Sequence, residues 1–424
     1  MTVAFSSSNR RIFDRRPLDS DKIHVEGSDY LAQFSAKTGY LETLTLADTK
    51  AELLIRLSFV KYGTAASKDK SGAYLFLPDG PAKDIPPESN QVAVVRGALF
   101  TDVHVAFLQL THTVRIFRIA GLDGESLLIR NQADIKEEYN YEIAMRITTG
   151  VESSDIFTDL NGLQMIRRKY YSKLPLQGNI YPMPAAAYIE DEAHRLTVLS
   201  AQALGVGSLK SGQIDVILDR RLMQDDNRGL GQGVMDNHPT SSLFRLLLEN
   251  VRSRGFVSPS KTGYLSWAAH FASQSLQHPL FTLVQKEVQQ ALRVSPSFKG
   301  MSGPFPCDVS LINFRTLQEP QVYAGEDLEA NQAATKKPTP AQALILHRLV
   351  PDCHVGTMRS RSQYCLEGKN GQVELGSLLA DHYESQIEES SLTLTSKRET
   401  FVIDQPVKLG PMDIRTYRAV LKRS

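Results

Sequence analysis

The sequence predicts a mainly β protein, a large antiparallel β-sandwich followed by a smaller β domain. Three observations carry this. Apolar and polar residues alternate along most of the chain. Strand-like runs recur roughly every ten to fifteen residues. Hardly any helical period separates them, which argues for antiparallel sheets over βαβ units.

The elements follow in order. Residues 31–46, LAQFSAKTGYLETLTL, read as two strands around a turn at Lys37–Gly39, and 53–61 as another. A polar, proline-containing loop spans 79–90. Runs at 91–99 and 103–119 are rich in β-branched and aromatic residues. The pattern continues at 141–147, 164–169, 186–189, 195–201, 212–218 and 243–248. Two segments break it. Residues 266–278, SWAAHFASQSLQH, read as a short helix or a long loop, and the polar segment 327–341 as a linker or exposed loop. The C-terminal run FVIDQPVKLGPMDIRTYRAVL closes the chain as strands. The expected divisions are an atypical segment at 1–20, the sandwich at 21–298 with a boundary near 295–300, and the smaller β domain at 299–424.

The 424 residues are 42% apolar and 22% charged, which excludes disorder throughout and any collagen-like chain. Forty-eight basic against 47 acidic side chains give a net charge of +1. There is no basic block either, which leans against a nucleic-acid partner. No apolar run is long enough for a membrane-spanning helix, and the opening MTVAFSSSNRRIFDRRP lacks the apolar centre of a signal peptide. No N-x-[ST] acceptor occurs. Three cysteines make no disulfide framework. Cys353 and Cys365 are close enough for one bridge, leaving Cys307 over; three free thiols is the other reading.

The most unusual stretch is 219–237, DRRLMQDDNRGLGQGVMDN, rich in aspartate, arginine and glycine and flanked by strands. Its glycines permit unusual backbone angles, and it places Asp225, Asp226 and Arg228 together on a loop. A functional site and a solvated, internally paired loop both fit this composition. GLGQG fails the G-x-G-x-x-G fingerprint, the stretch contains no Walker lysine and no helix pattern follows it, which argues against nucleotide binding. Tyr74 stands in the apolar run SGAYLFLPDG; such a tyrosine is ordinarily a packing residue. The prolines of LPLQGNIYPMPAAAYI hold Tyr181 and Tyr188 on extended backbone, where their rings can stack on a sugar or pack on a sheet. His104 with His112, and His347 with His354, lack carboxylates at metal spacing and read as packed or solvated histidines. There is no H-E-x-x-H and no G-x-S-x-G elbow.

SGAYLFLPDG at 71–80, TDLNGLQ at 158–164 and the long block 174–237 together resemble the C-terminal half of class II α-mannosidases, glycoside hydrolase family 38, and the Golgi type more than the lysosomal type. The resemblance covers roughly residues 20–424. It implies a galactose-mutarotase-like supersandwich for the larger domain. It also implies a parent chain more than twice this length. Such a chain has a membrane anchor, an α/β domain with zinc and two catalytic aspartates, and a three-helix bundle before the β-rich part. The family reaction is retaining hydrolysis of mannosidic bonds during N-glycan maturation in the Golgi lumen.

The family's zinc-binding H-x-D and His-His-Asp segments are absent here. The resemblance therefore assigns this chain no catalytic residue and no metal ligand, and zinc only to the intact enzyme. It implies that Tyr74 approaches the bound mannose and that the Arg228 loop reaches the same pocket. Asp225 and Asp226 would support that loop or hydrogen-bond sugar hydroxyls, and Gly229 joins the same substrate-binding set. The implied partners are a mannose-containing N-glycan and the catalytic α/β domain. A stand-alone carbohydrate-binding or structural module is the competing reading, and a subunit completing a separately made catalytic half is a third. The absence of an anchor in residues 1–20 favours a portion of a longer enzyme.

Overall fold

The computed structural model describes residues 21–86, 91–107, 109–153, 155–252, 262–283, 301–318, 338–356, 370–379 and 382–422. The chain divides into two compact units, residues 1–280 with 352–361 and residues 281–351 with 362–424. Segment 1–20, positions 295–300 and positions 327–337 of the expected loop lie outside the described residues. Positions 338–341 of that loop instead open a strand, whose first residues tolerate Pro338 and Pro340.

The first unit starts with strands β1 (Lys22–Glu26), β2 (Tyr30–Ser35), β3 (Leu41–Leu46) and β4 (Glu52–Gly63), with the short β5 (Lys83–Asp84) after a long connection. Next come β6 (Gln91–Arg96), β7 (Phe100–Phe107), β8 (Leu110–Phe117) and β9 (Leu127–Ala133). The run read at 103–119 is thus divided between the arms of a hairpin, with Phe107 opposite Leu110. Then follow β10 (Tyr141–Thr149), β11 (Asp155–Leu160), β12 (Gln164–Lys169), β13 (Tyr181–Met183), β14 (Ala186–Glu190) and β15 (His194–Ser200). The unit continues with β16 (Leu204–Gly207), β17 (Gln213–Arg221), β18 (Thr240–Val251), β19 (Thr262–Gly263) and helix α1 (Trp267–Gln277).

Every strand pairing among the described residues is antiparallel. One sheet runs β1-β2-β3-β4-β10-β17-β16-β13, with β5 on β4. The other runs β19-β12-β11-β14-β15-β18-β9-β8-β7-β6. Their facing sides share one core, with Phe34, Leu44 and Ile55 from the first sheet and Val105, Ile129 and Leu246 from the second. Each such side chain contributes roughly 1.5–3 kcal/mol on burial.

Segment 266–278 resolves as a helix. The Ser266 side chain caps it by accepting from the Ala269 N–H at 3.1 Å. Its Ala268, Ala269, Ala272 and Leu276 cover Met165, Ala186, Leu199 and Leu247 on the outer face of the second sheet.

Of the four histidines singled out in the sequence, His112 is fully buried. Its Nδ1 meets Asn131 Oδ1 at 2.7 Å, and its ring lies edge-on to Tyr40 and Phe59. Burial pushes its pKa down to about 4 against the pull of Asn131. Because the folded value lies below the unfolded one, the unfolded chain takes the proton first as pH falls. Stability is therefore intact above pH 6.5 and loses about 3 kcal/mol by pH 4. Thermal melts across that window should fall more steeply for the wild type than for His112→Gln; parallel curves would refute this.

The second unit holds β20 (Val309–Gln318) and β21 (Pro338–Arg348). The chain then returns to the first unit, where β22 (Val355–Gly356) pairs with β18. The second unit resumes with β23 (Gln372–Val373), helix α2 (Leu375–Leu379), β24 (Gln386–Ser390), β25 (Lys397–Val402), β26 (Val407–Lys408) and β27 (Ile414–Val420). Its main sheet runs β20-β21-β27-β24-β25 over a core of Leu344, Leu346, Leu378, Ile387 and Tyr417. Cys353 is disulfide-bonded and Cys307 is free. Cys365 lies outside the described residues.

Candidate functional site

Strand register brings two distant loops together. Tyr141, the first residue of β10, lies opposite both Gly63 at the end of β4 and Arg221 at the end of β17. The connections after β4 and β17 therefore leave the sheet at the same end, one strand to either side of β10, about 10 Å apart. Each doubles back through a bridge, Thr64 with Pro78 in one and Leu222 with Val234 in the other. These are the SGAYLFLPDG and DDNRGLGQG loops.

Asp226 joins them. Its carboxylate is buried and its Oδ2 accepts from the backbone N–H groups of Tyr74 at 2.7 Å and Leu75 at 2.9 Å. Burial raises its pKa, but the N–H groups of Tyr74, Leu75 and Arg228 and the Arg228 guanidinium outweigh that and hold it below the usual carboxylate value. Gln224 adds bonds to Thr64 Oγ1 and the Ser71 carbonyl, and Asn227 one to the Lys68 carbonyl. Asn227 and Gly229 adopt φ of 58° and 97°, the left-handed values that asparagine and glycine accept most readily.

The fit is close at Gly72. A Cβ there would lie 2.5 Å from Asp226 Cβ and 2.6 Å from its backbone nitrogen. Gly72→Ala should force the loops apart and cost about 1–3 kcal/mol. A urea midpoint equal to that of the wild type would show that the loops are not packed this way.

The predicted residues divide by exposure. Tyr74 is 63% exposed, and Arg228 reaches Asp69 at 3.2 Å in an open ion pair of little energetic weight. Gly229 has open space around it and Asp225 is half-buried. Asp226 has no exposed surface, so of its two expected roles only loop support matches its position.

Of the other quoted aromatics, Tyr188 is committed to packing and Tyr181 is partly exposed. Tyr188 is buried, stacked on Phe157 at 4.6 Å with the Arg195 guanidinium 4.0 Å from its ring, so it offers no face to a sugar. Tyr181 donates to the Lys169 carbonyl beneath Arg168. TDLNGLQ forms the tight turn between β11 and β12. There Asp159 accepts from the Gly162, Ala185 and Ala186 N–H groups.

Sequence reasoning missed Arg220 and Glu142. Arg220 Nη2 donates to the carbonyls of Gly72 at 2.5 Å and Leu75 at 2.7 Å, and pairs with Glu142 Oε1 at 2.9 Å. The Arg220–Arg221 pair was visible at the strand end, but nothing local distinguished it from solvated arginines. Burial pushes the Glu142 carboxyl up to about 7, against the opposing pull of Arg220.

Among the described residues, no three His, Cys, Asp or Glu side chains converge as a metal site requires. The zinc implied by the resemblance finds no fitting ligands there, and no chemistry of this chain is routed through it. No helix among them is long and apolar enough to cross a membrane.

Comparison with known proteins agrees with this architecture. Residues 26–228 match the glycosyl hydrolases family 38 C-terminal domain. The chain is 39% identical to human alpha-mannosidase 2 over 94% of its own length and 34% of the relative's. It is 40% identical to mouse alpha-mannosidase 2x over 98% and 35%, respectively. It thus spans about a third of the length of the curated relatives it matches. A solved family 38 structure from Enterococcus faecalis shares the fold, with a TM-score of 0.57 at 13% identity, covering 98% of this chain and 45% of that one. Residues 26–228 thus carry the likeness to the glycosyl hydrolases family 38 C-terminal domain, and the chain corresponds to that part of the α-mannosidase II homologues.

Proposed function

We propose that this chain supplies one wall of the mannose pocket in an α-mannosidase that processes N-glycans in the Golgi lumen. The observation that supports it best is the single buried carboxylate, Asp226, that holds the backbone of Tyr74, Leu75 and Arg228. One anion thereby fixes two loops whose polar tips, the Tyr74 phenol and the Arg228 guanidinium, are exposed where sugar hydroxyls would meet them. Tyrosine can donate or accept, and arginine offers a planar set of donors. The weak pair with Asp69 is readily exchanged for a ligand. Hydrolysis itself, with its two carboxylates and zinc, belongs in this reading to an α/β domain that docks here. Tyr139, 71% exposed, and Met223, Leu230 and Met235 offer apolar surface on the same loops and the neighbouring turn.

The test is titration of residues 1–424 with methyl α-mannoside. Weak, saturable binding is expected, with Kd rising about tenfold in Arg228→Ala and in Tyr74→Ala. Equal binding by all three proteins would remove the proposed roles. Tight binding by the chain alone would favour the stand-alone carbohydrate module. Aryl α-mannoside turnover that a chelator abolishes would show that the chain carries its own chemistry.

A further inference from the structure

Residues 72–75 form a turn in which the Gly72 N–H bonds the Leu75 carbonyl at 3.1 Å. Opposite charges grip it. The Asp226 anion takes the N–H groups of Tyr74 and Leu75, while the Arg220 cation takes the carbonyls of Gly72 and Leu75. The two grips differ in anchorage. Asp226 belongs to the partner loop, outside the strands. Arg220 lies in β17 and is braced by the buried Glu142 of β10, its register partner in the middle of the sheet. Nη2 donates its two hydrogens to the Gly72 and Leu75 carbonyls and lies in ion-pair contact with Glu142 Oε1, so its position is set from three sides.

We propose that Arg220, braced by Glu142, is the positioning residue that fixes the Tyr74 turn to the sheet and so sets where Tyr74 meets its sugar. The sugar part rests on the pocket-wall reading above. The mechanical part does not.

Hydrogen exchange in the full chain separates the two. In Arg220→Met, which keeps most of the stem and loses every donor, exchange at the Tyr74 and Leu75 amides should accelerate at least about tenfold while β4 and β10 change little. Arg220→Lys, retaining charge and donors, should recover much of the protection. Unchanged exchange at Tyr74 and Leu75, or equal acceleration throughout β10, would overturn the proposal. Burial already raises the Glu142 pKa, so this carboxyl can take a proton when its cation is removed. Should the single variant fail to fold, Glu142→Gln/Arg220→Met removes the leftover acid and carries the same expectation. In the mannoside titration, Arg220→Met should raise Kd at least about fivefold. Equal Kd values would overturn the positioning of Tyr74 for sugar. A wild type that binds no mannoside would overturn the pocket-wall reading, and the exchange data would still decide whether Arg220 fixes the turn.

Discussion

Arg195→Ala should destabilise the first unit by about 3–5 kcal/mol. Arg195 is 1% exposed. Its Nε and Nη2 donate to Glu190 Oε2 at 2.9 and 2.6 Å, Nη2 also reaches Asp352 Oδ2 at 2.8 Å, and Nη1 donates to the Tyr264 carbonyl. The guanidinium lies 4.0 Å from the Tyr188 ring, adding a cation–π contact. Removing it takes the Arg195 cation from two largely buried carboxylates and leaves a cavity beside an aromatic ring. The triple variant Arg195→Met, Glu190→Gln, Asp352→Asn should recover much of the loss, because the penalty comes from uncompensated charge. Urea unfolding at neutral pH is the measurement. A loss below about 1 kcal/mol, typical of an exposed ion pair, would contradict the buried geometry.

Asp215→Ala should be of similar size, about 3–5 kcal/mol. Asp215 takes the Arg146 guanidinium side-on, with Nε on Oδ1 and Nη2 on Oδ2, both at 2.7 Å, and the Tyr62 hydroxyl donates to Oδ2. All three lie on the outer face of the first sheet, where the loop after β4 covers them with Phe76. Alanine would strand a mostly buried cation and a buried hydroxyl together. Asp215→Asn keeps one carbonyl oxygen and should cost less. The same unfolding measurement decides, and an Asn variant worse than the Ala variant would mean that charge is not the main loss.

The sandwich was most legible where a long, apolar-rich strand has one wet face. In β8, LTHTVRIF, burial alternates residue by residue as the sequence does. β10 is harder, because Tyr141 through Met145 are all buried. Its second face is covered by chain from the loop after β4, a contact between positions far apart that no local period encodes. β1 and β9 were missed for a different reason: KIHVE is only five residues long, and LLIRNQA puts the polar Asn131 on its buried face. The candidate site was half legible. Composition marked the 219–237 stretch as unusual, and the family resemblance coupled it to Tyr74. The burial of Asp226 and the grip of Arg220 depend on a register shared by β4, β10 and β17, and emerge only when the strands are aligned.

The passage of the chain back into the first unit at residues 352–356 has a practical side. The sandwich is not one uninterrupted stretch: Asp352 supplies a counter-ion to Arg195, and Val355 and Gly356 extend the sheet at β18. A recombinant product stopped at Leu280 would retain the fully buried Arg195 guanidinium while discarding the Asp352 carboxylate that pairs with it. Expression of the larger unit alone should therefore give poor yield unless Asp352–Gly356 is spliced back through a short linker.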